Sequence, residues 1–289
     1  MIFDKRLPSP LAAIVLAILI AALAIAAPAG AQQGAPAPGT FLGADLITED
    51  AEAASRFYAD LFPWDVEKVE DGGYRINHKG RLIASISQID DSDSEVDKSF
   101  WLVALAVNDL KQTIRSASEN NATVLEEYTK VKNYGRFAVI GDAEKAPVMF
   151  IQSGKTPIGG TTGPGSWVWA ELWSDDIDKA TTFYGDVVGV GHDTTDRGGQ
   201  AYHLFTSQGK PRAGIVKIPD ELEDVEPGWA PYVDVENLDK TKDRVRELGG
   251  RVIFATDNNP VRGGVALIID PTGAALFIHQ IRSAKEVTE

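Results

Sequence analysis

Few side chains in this 289-residue chain are equipped for chemistry. It has no cysteine, which removes disulfide frameworks, thiolate zinc sites, iron–sulfur clusters, a thiol nucleophile and a lipid-bearing cysteine. Walker loop, nucleophile elbow and dinucleotide fingerprint are all missing, and Gly159-Gly160 lies in a linker with no strand before it. Proton transfer and ligand polarity therefore fall to carboxylates, tyrosines and the four histidines. His78 and His192 stand in turn-rich, polar stretches that read as exposed. His203 follows Tyr202 in a strand leading into GKPRAG, and period-two alternation turns one of the pair toward any cleft without saying which. In the run WVWAELWS, the same alternation puts Trp169, Glu171 and Trp173 on one face, a carboxylate between two indoles. Such a face suits a planar organic ligand, and it equally suits plain core.

The elements that must hold these residues are written twice. FLGADLITEDAEAASRFYADLF from Phe41 answers WVWAELWSDDIDKATTFYGDVVG from Trp167; WLVALAVNDL from Trp101 answers WAPYVDVENL from Trp229; GDAEKAPVMFIQ from Gly141 answers IDPTGAALFIHQ, ending at Gln280. Each half is double again, giving four units of strand, helix and about three strands. The first helix of each half carries an apolar stripe, Ala54, Phe57, Tyr58, Leu61 and then Ala180, Phe183, Tyr184, Val187. Short β-rich runs follow at 81–86, 137–140, 148–151 and 265–269. Trp64, after Phe62-Pro63, is placed to close the first helix against its sheet. The expected organisation is a flexible lead-in at 32–40, one domain at 41–153, a Gly/Pro/Thr linker at 154–166, a second domain at 167–281 and a tail at 282–289.

The net charge of −14 and the scattering of cations among acids argue against nucleic acid as a partner. Asp4, Lys5 and Arg6 precede an apolar run at 11–27, and Ala29-Gly30-Ala31 follows, which is the order of a signal peptide cleaved before Gln32. An uncleaved anchor is the alternative, and the only route to a membrane. Either reading puts the folded part outside the cytoplasm, periplasmic or secreted, and membrane-anchored if the leader is not cleaved. The acidic stretches DDSDSEVD from Asp90 and DELEDVE from Asp220 recur at matching places and read as solvated connectors, not calcium loops.

The opening strand, an Asp, FY, a turn, and a closing DPTG strand together resemble the glyoxalase, bleomycin-resistance and extradiol dioxygenase superfamily, also called vicinal oxygen chelate. WAELWSDD, GKPRAG, ELGGRV and DPTGAALFIHQ are similar to its tandem, secreted glyoxalase-like members. The resemblance covers residues 41–281 and implies an α+β fold, four tandem βαβββ units paired into two glyoxalase-like curved-sheet domains, each enclosing a cleft. Because four units already satisfy that pairing, a monomer is expected.

Many such relatives hold a divalent metal through the opening strand, seven residues before the helix-leading Asp, and through the closing strand. Those positions hold Gly43, Leu102, Trp169, Ala230, Met149 and Phe277 here, none of them a donor. No cofactor is therefore expected, and a divalent metal would fit only at a shifted site. Two residues further on, facing the same cleft, the second half offers Glu171, Tyr232 and His279, with Asp234 one step beyond, whereas the first offers Asp45, Ala104 and Ile151. Parallel pairing of opening and closing strands would set Glu171 beside His279, as a catalytic pair, a displaced metal site or a structural pair that satisfies itself. Around them, Trp169, Trp173, Tyr232, Phe277 and His203 form the expected small-molecule site. The leading expectation is a metal-free protein binding an organic ligand in the second-half cleft. A lyase, isomerase or dioxygenase using Glu171 and His279 is the alternative.

Overall fold

The computed structural model describes residues 35–69, 72–89, 99–131, 135–154, 158, 160–196, 199, 201–220, 225–256 and 263–281. The leader, the first acidic connector, most of the second and the tail lie outside the described residues. In the first half, β1 (Phe41–Thr48), α1 (Ala51–Leu61), β2 (Asp65–Lys68), β3 (Tyr74–His78) and β4 (Arg81–Gln88) precede β5 (Phe100–Ala106), α2 (Leu110–Glu119), β6 (Thr123–Val131), β7 (Gly135–Gly141) and β8 (Pro147–Ser153). In the second, β9 (Trp167–Ser174), α3 (Ile177–Val188), β10 (Gly191–Asp196), β11 (Ala201–Ser207) and β12 (Lys210–Lys217) precede β13 (Gly228–Asp234), α4 (Leu238–Glu247), β14 (Arg251–Ala255), β15 (Gly264–Ile269) and β16 (Ala275–Gln280). The fold is α+β: two eight-stranded mixed sheets, ordered β2-β3-β4-β1-β5-β8-β7-β6 and β10-β11-β12-β9-β13-β16-β15-β14.

Local chemistry fixes where the helices begin. Asp50, Asp109, Asp176 and Asn237 each accept a backbone N–H of the first turn through the side chain, satisfying donors that an open helix end leaves orphaned. Glutamines from the closing strands add a second acceptor: Gln88 takes the Ala51 N–H at 2.8 Å and Gln280 takes that of Leu238 at 2.9 Å. Gly189, at φ 79°, ends α3 in the left-handed conformation that a Cβ disfavours.

The helix faces of both sheets join in one apolar core containing Phe57, Tyr58, Phe183 and Tyr184. Its polar pins cross between halves. Trp101 Nε1 donates to Tyr58 Oη at 3.0 Å, and Tyr58 donates to Asp270 at 2.9 Å. The second half mirrors this: Trp229 donates to Tyr184 at 2.8 Å and Tyr184 donates to Asp142 at 2.9 Å. The duplicated FY and the duplicated turn aspartate therefore hold the two halves together. Burial pushes the Asp142 carboxyl up to about 6, and pushes both phenols well above their usual range.

One sequence expectation changes at this junction. His78 is 4% exposed rather than surface-lying, because Nδ1 bonds the Pro63 carbonyl at 2.9 Å and Gly165 packs on the ring. The linker is pinned where it is described: Gly165 N–H donates to Asp234 O, Trp64 Nε1 donates to Gly165 O, and Ile158 packs on apolar residues of the first sheet. Trp64 is buried beside Tyr58 and Phe62, as its position after α1 leads one to expect. Among the described residues, no helix is long and apolar enough to cross a membrane.

Candidate functional site

Each sheet has one face covered by helices and one without. On the helix-free face of the second sheet, strand register lines up a transverse row: Trp169 opposite Tyr232, Tyr232 opposite Phe277, Phe277 opposite Leu267, and Leu267 opposite Phe254. Tyr232 and Phe277 stack with centroids 4.4 Å apart and planes 6° from parallel, and Phe254 meets Phe277 edge-on at 6.2 Å. Offset stacking and edge contact are the arrangements that aromatic quadrupoles favour.

The next row centres on Glu171, which faces Gly214 on one side and Ala230 on the other. Small neighbours leave its carboxylate reachable by longer side chains. Tyr202 Oη donates to Oε1 at 2.6 Å, Tyr232 Oη donates to Oε2, and Trp169 Nε1 donates to Tyr202 Oη at 2.9 Å. Glu171 is 3% exposed, so these donors replace water around a buried carboxyl group. Gly214 is required by this packing: a Cβ there would overlap Tyr202 Oη and stand 2.8 Å from Glu171 Cγ.

Trp169, Glu171, Trp173, Tyr232 and Phe277 therefore share a face, and two other expected residues are placed elsewhere. His203 pairs with Ile215 and adjoins Phe205, both of which belong to the helix-side core, so Tyr202 and not His203 points toward Glu171. The His203 ring instead meets His192, Nδ1 to Nε2, at 3.0 Å. His279 is not beside Glu171. The opening strand β9 pairs in parallel with β12, the closing strand of its own unit, while β16 pairs with β13, which stands between them. His279 is level with Asp234, and Glu171 with Ala230, so the two are about 16 Å apart at the Cα atoms by strand spacing and rise. The imidazole lies near Asp234, whose carboxyl is raised by burial and lowered in part by the Ile281 N–H and by His279. Phe254, in the aromatic row, and Gly214 carried no sequence signal, because only pairing across strands reveals them.

The first half fills the matching positions differently. Its row runs Gly43, Ala104, Met149, Val139, Glu126, and its helix-free face is packed with Leu42, Leu102, Phe137 and Ile151. Asp45, the counterpart of Glu171, accepts the Ser85 backbone N–H at 2.6 Å, and burial raises its carboxyl.

Donor chemistry at the metal positions does not fit a divalent cation. Gly43, Leu102, Trp169, Ala230, Met149 and Phe277 all sit on helix-free faces and supply no imidazole or carboxylate. Among the described residues no three His, Asp or Glu side chains are grouped as ligands.

A family model described as the Glyoxalase/Bleomycin resistance protein/Dioxygenase superfamily matches residues 40–150 and 167–277. The anthracycline biosynthesis protein DauV of Streptomyces sp. (strain C5) is 32% identical over 267 residues, covering 86% of this chain and 95% of that one. The putative glyoxylase CFP32 of Mycobacterium tuberculosis (strain CDC 1551 / Oshkosh) is 30% identical over 246 residues, covering 81% and 92%. Among solved structures, the Mn(II)-bound glyoxalase from Novosphingobium aromaticivorans aligns with a TM-score of 0.61 at 14% identity, covering 84% of this chain and 82% of that one. The 2,2',3-trihydroxybiphenyl 1,2-dioxygenase of Sphingomonas wittichii strain RW1 aligns at 0.60 and 13%, covering 86% and 94%. At such identities these structures share the fold alone.

Proposed function

The chain belongs to the glyoxalase, bleomycin resistance protein and dioxygenase superfamily, and on that premise we propose that it is an exported, metal-independent monomer that binds a planar aromatic molecule on the helix-free face of its second half. One observation carries the reading: a buried Glu171, held by Tyr202 and Tyr232, stands beside an aromatic row whose counterparts in the first half are not aromatic. Stacking on Tyr232 and Phe277 supplies affinity, and the Glu171 cluster fixes orientation through one polar edge of the ligand.

The test is calorimetric titration of the full chain with 2-naphthol, a planar probe carrying one hydroxyl donor. Binding that weakens about tenfold in Glu171→Ala supports the proposal. Equal affinity in both proteins removes Glu171 from the site. A second reading, proton transfer on a bound substrate, draws on the contact between Glu171 and Tyr232. In that reading Glu171 acts with the tyrosines, since His279 stands about 16 Å away along the register. Turnover of a candidate substrate that survives Glu171→Gln would exclude it.

A further inference from the structure

The chain has six tryptophans, all within the described residues. Five of the indole N–H groups have acceptors: Trp64 on Gly165 O, Trp101 on Tyr58, Trp167 on Ile83 O, Trp169 on Tyr202 and Trp229 on Tyr184. The sixth is the exception. Trp173 Nε1 is buried and has no hydrogen-bond partner. A buried donor without an acceptor costs free energy, and its surroundings are asked to account for it.

Its position supplies a reason. Trp173 lies two residues beyond Glu171 on β9, on the same face, with about 6.5 Å between their Cα atoms. The indole leans across the sheet toward Phe277, centroids 6.2 Å apart and planes 27° from parallel. Between them on β13 lies Ala230, which brings only a methyl group. The strand partners of Trp173 are Gly228 and Val216, which bring no polar side chain, whereas a water settled at the N–H would need two to four polar partners. An indole N–H points outward in its own ring plane. Phe277 lies 27° from the indole plane and is nearly parallel to Tyr232, so a ring added to this series is close to parallel with the indole.

Resting on the reading that this face binds a planar aromatic molecule, we infer that the ligand is an aromatic carbonyl compound whose in-plane oxygen accepts from Trp173 Nε1. A conjugated carbonyl holds its lone pairs in its own plane, and in a ring close to parallel with the indole that oxygen can come level with the N–H. Trp173 is thus the specificity-determining residue for the acceptor edge, and the Glu171 cluster serves the other edge. Acceptor-free hydrocarbons of the same size bind only by stacking.

Coumarin and naphthalene, two-ring planar probes with and without a carbonyl, separate these contributions when titrated calorimetrically into the full chain and into Trp173→Phe. The wild-type protein should bind coumarin about fivefold to tenfold more tightly than naphthalene, and the variant should bind the two with about equal affinity. A nitrogen-15 spectrum of the wild-type protein gives a readout that needs no altered fold: the Trp173 indole proton should move downfield with coumarin and not with naphthalene. Should 2-naphthol bind while the coumarin preference is absent, or unchanged in the variant, the carbonyl inference fails and the aromatic site stands. Should none of the three probes bind, the aromatic site fails and takes the inference with it.

Discussion

Gly214→Ala should damage the polar cluster although it adds a single methyl group to a residue that does no chemistry. The added Cβ would occupy the place of Tyr202 Oη and crowd Glu171 Cγ at 2.8 Å, so the Tyr202 ring must swing away. Two hydrogen bonds go with it, Tyr202 to Glu171 and Trp169 to Tyr202. A phenol-to-carboxylate bond contributes about 1.5–3 kcal/mol and a neutral one about 1 kcal/mol. Replacing glycine within a strand returns about 0.5–1 kcal/mol by reducing the freedom of the unfolded chain. The expected net loss is about 2–3 kcal/mol, measured by urea denaturation with unchanged slope. A double-mutant cycle with Tyr202→Phe makes the reasoning refutable. Removing the hydroxyl deletes both bonds and the worst overlap, so Gly214→Ala should cost less than half as much in that background. An equal cost in both backgrounds, or wild-type stability of the single variant, would show that Tyr202 does not stand on Glu171.

Three further outcomes are expected. Asp142 has its carboxyl raised by burial from 3.8 to about 6, so the folded chain holds this proton more tightly than the unfolded chain; the associated stability is complete below pH 3.8 and is lost as pH rises through about 6. The loss is about 3 kcal/mol, and the difference between wild type and Asp142→Asn across pH 3.5–7 should report it; identical pH profiles would contradict the buried latch. Phe254, 44% exposed, ends the aromatic row, and Phe254→Ala should change stability by less than about 1 kcal/mol while weakening 2-naphthol binding severalfold, a pattern that equal affinity would overturn. Exported protein should begin at Gln32 on N-terminal sequencing, and an intact leader in membranes would favour the anchor instead.

The linear sequence determined the duplicated architecture and one wall of the site. Helix starts were legible because a capping Asp or Asn acts on its own next turn, and α1 and α3 because their apolar stripes repeat at helical spacing. Trp169, Glu171 and Trp173 were legible as one face because alternation along a strand needs no partner strand. What only the tertiary structure decided lies across strands. Tyr202 rather than His203 turns to Glu171 because β11 meets β12 in a register that sends His203, with Ile215, to the helix side. Glu171 and His279 stand apart because the parallel partners belong to one unit each, and a run of residues carries no mark of which strand will lie beside it. Phe254 joins the aromatic row through three other strands, and Trp173 is left without an acceptor only once every neighbour is in place. Spacing along the chain sets the direction of a side chain. Hydrogen-bond register between distant segments sets what it meets, and that register is fixed by the packing of the whole sheet.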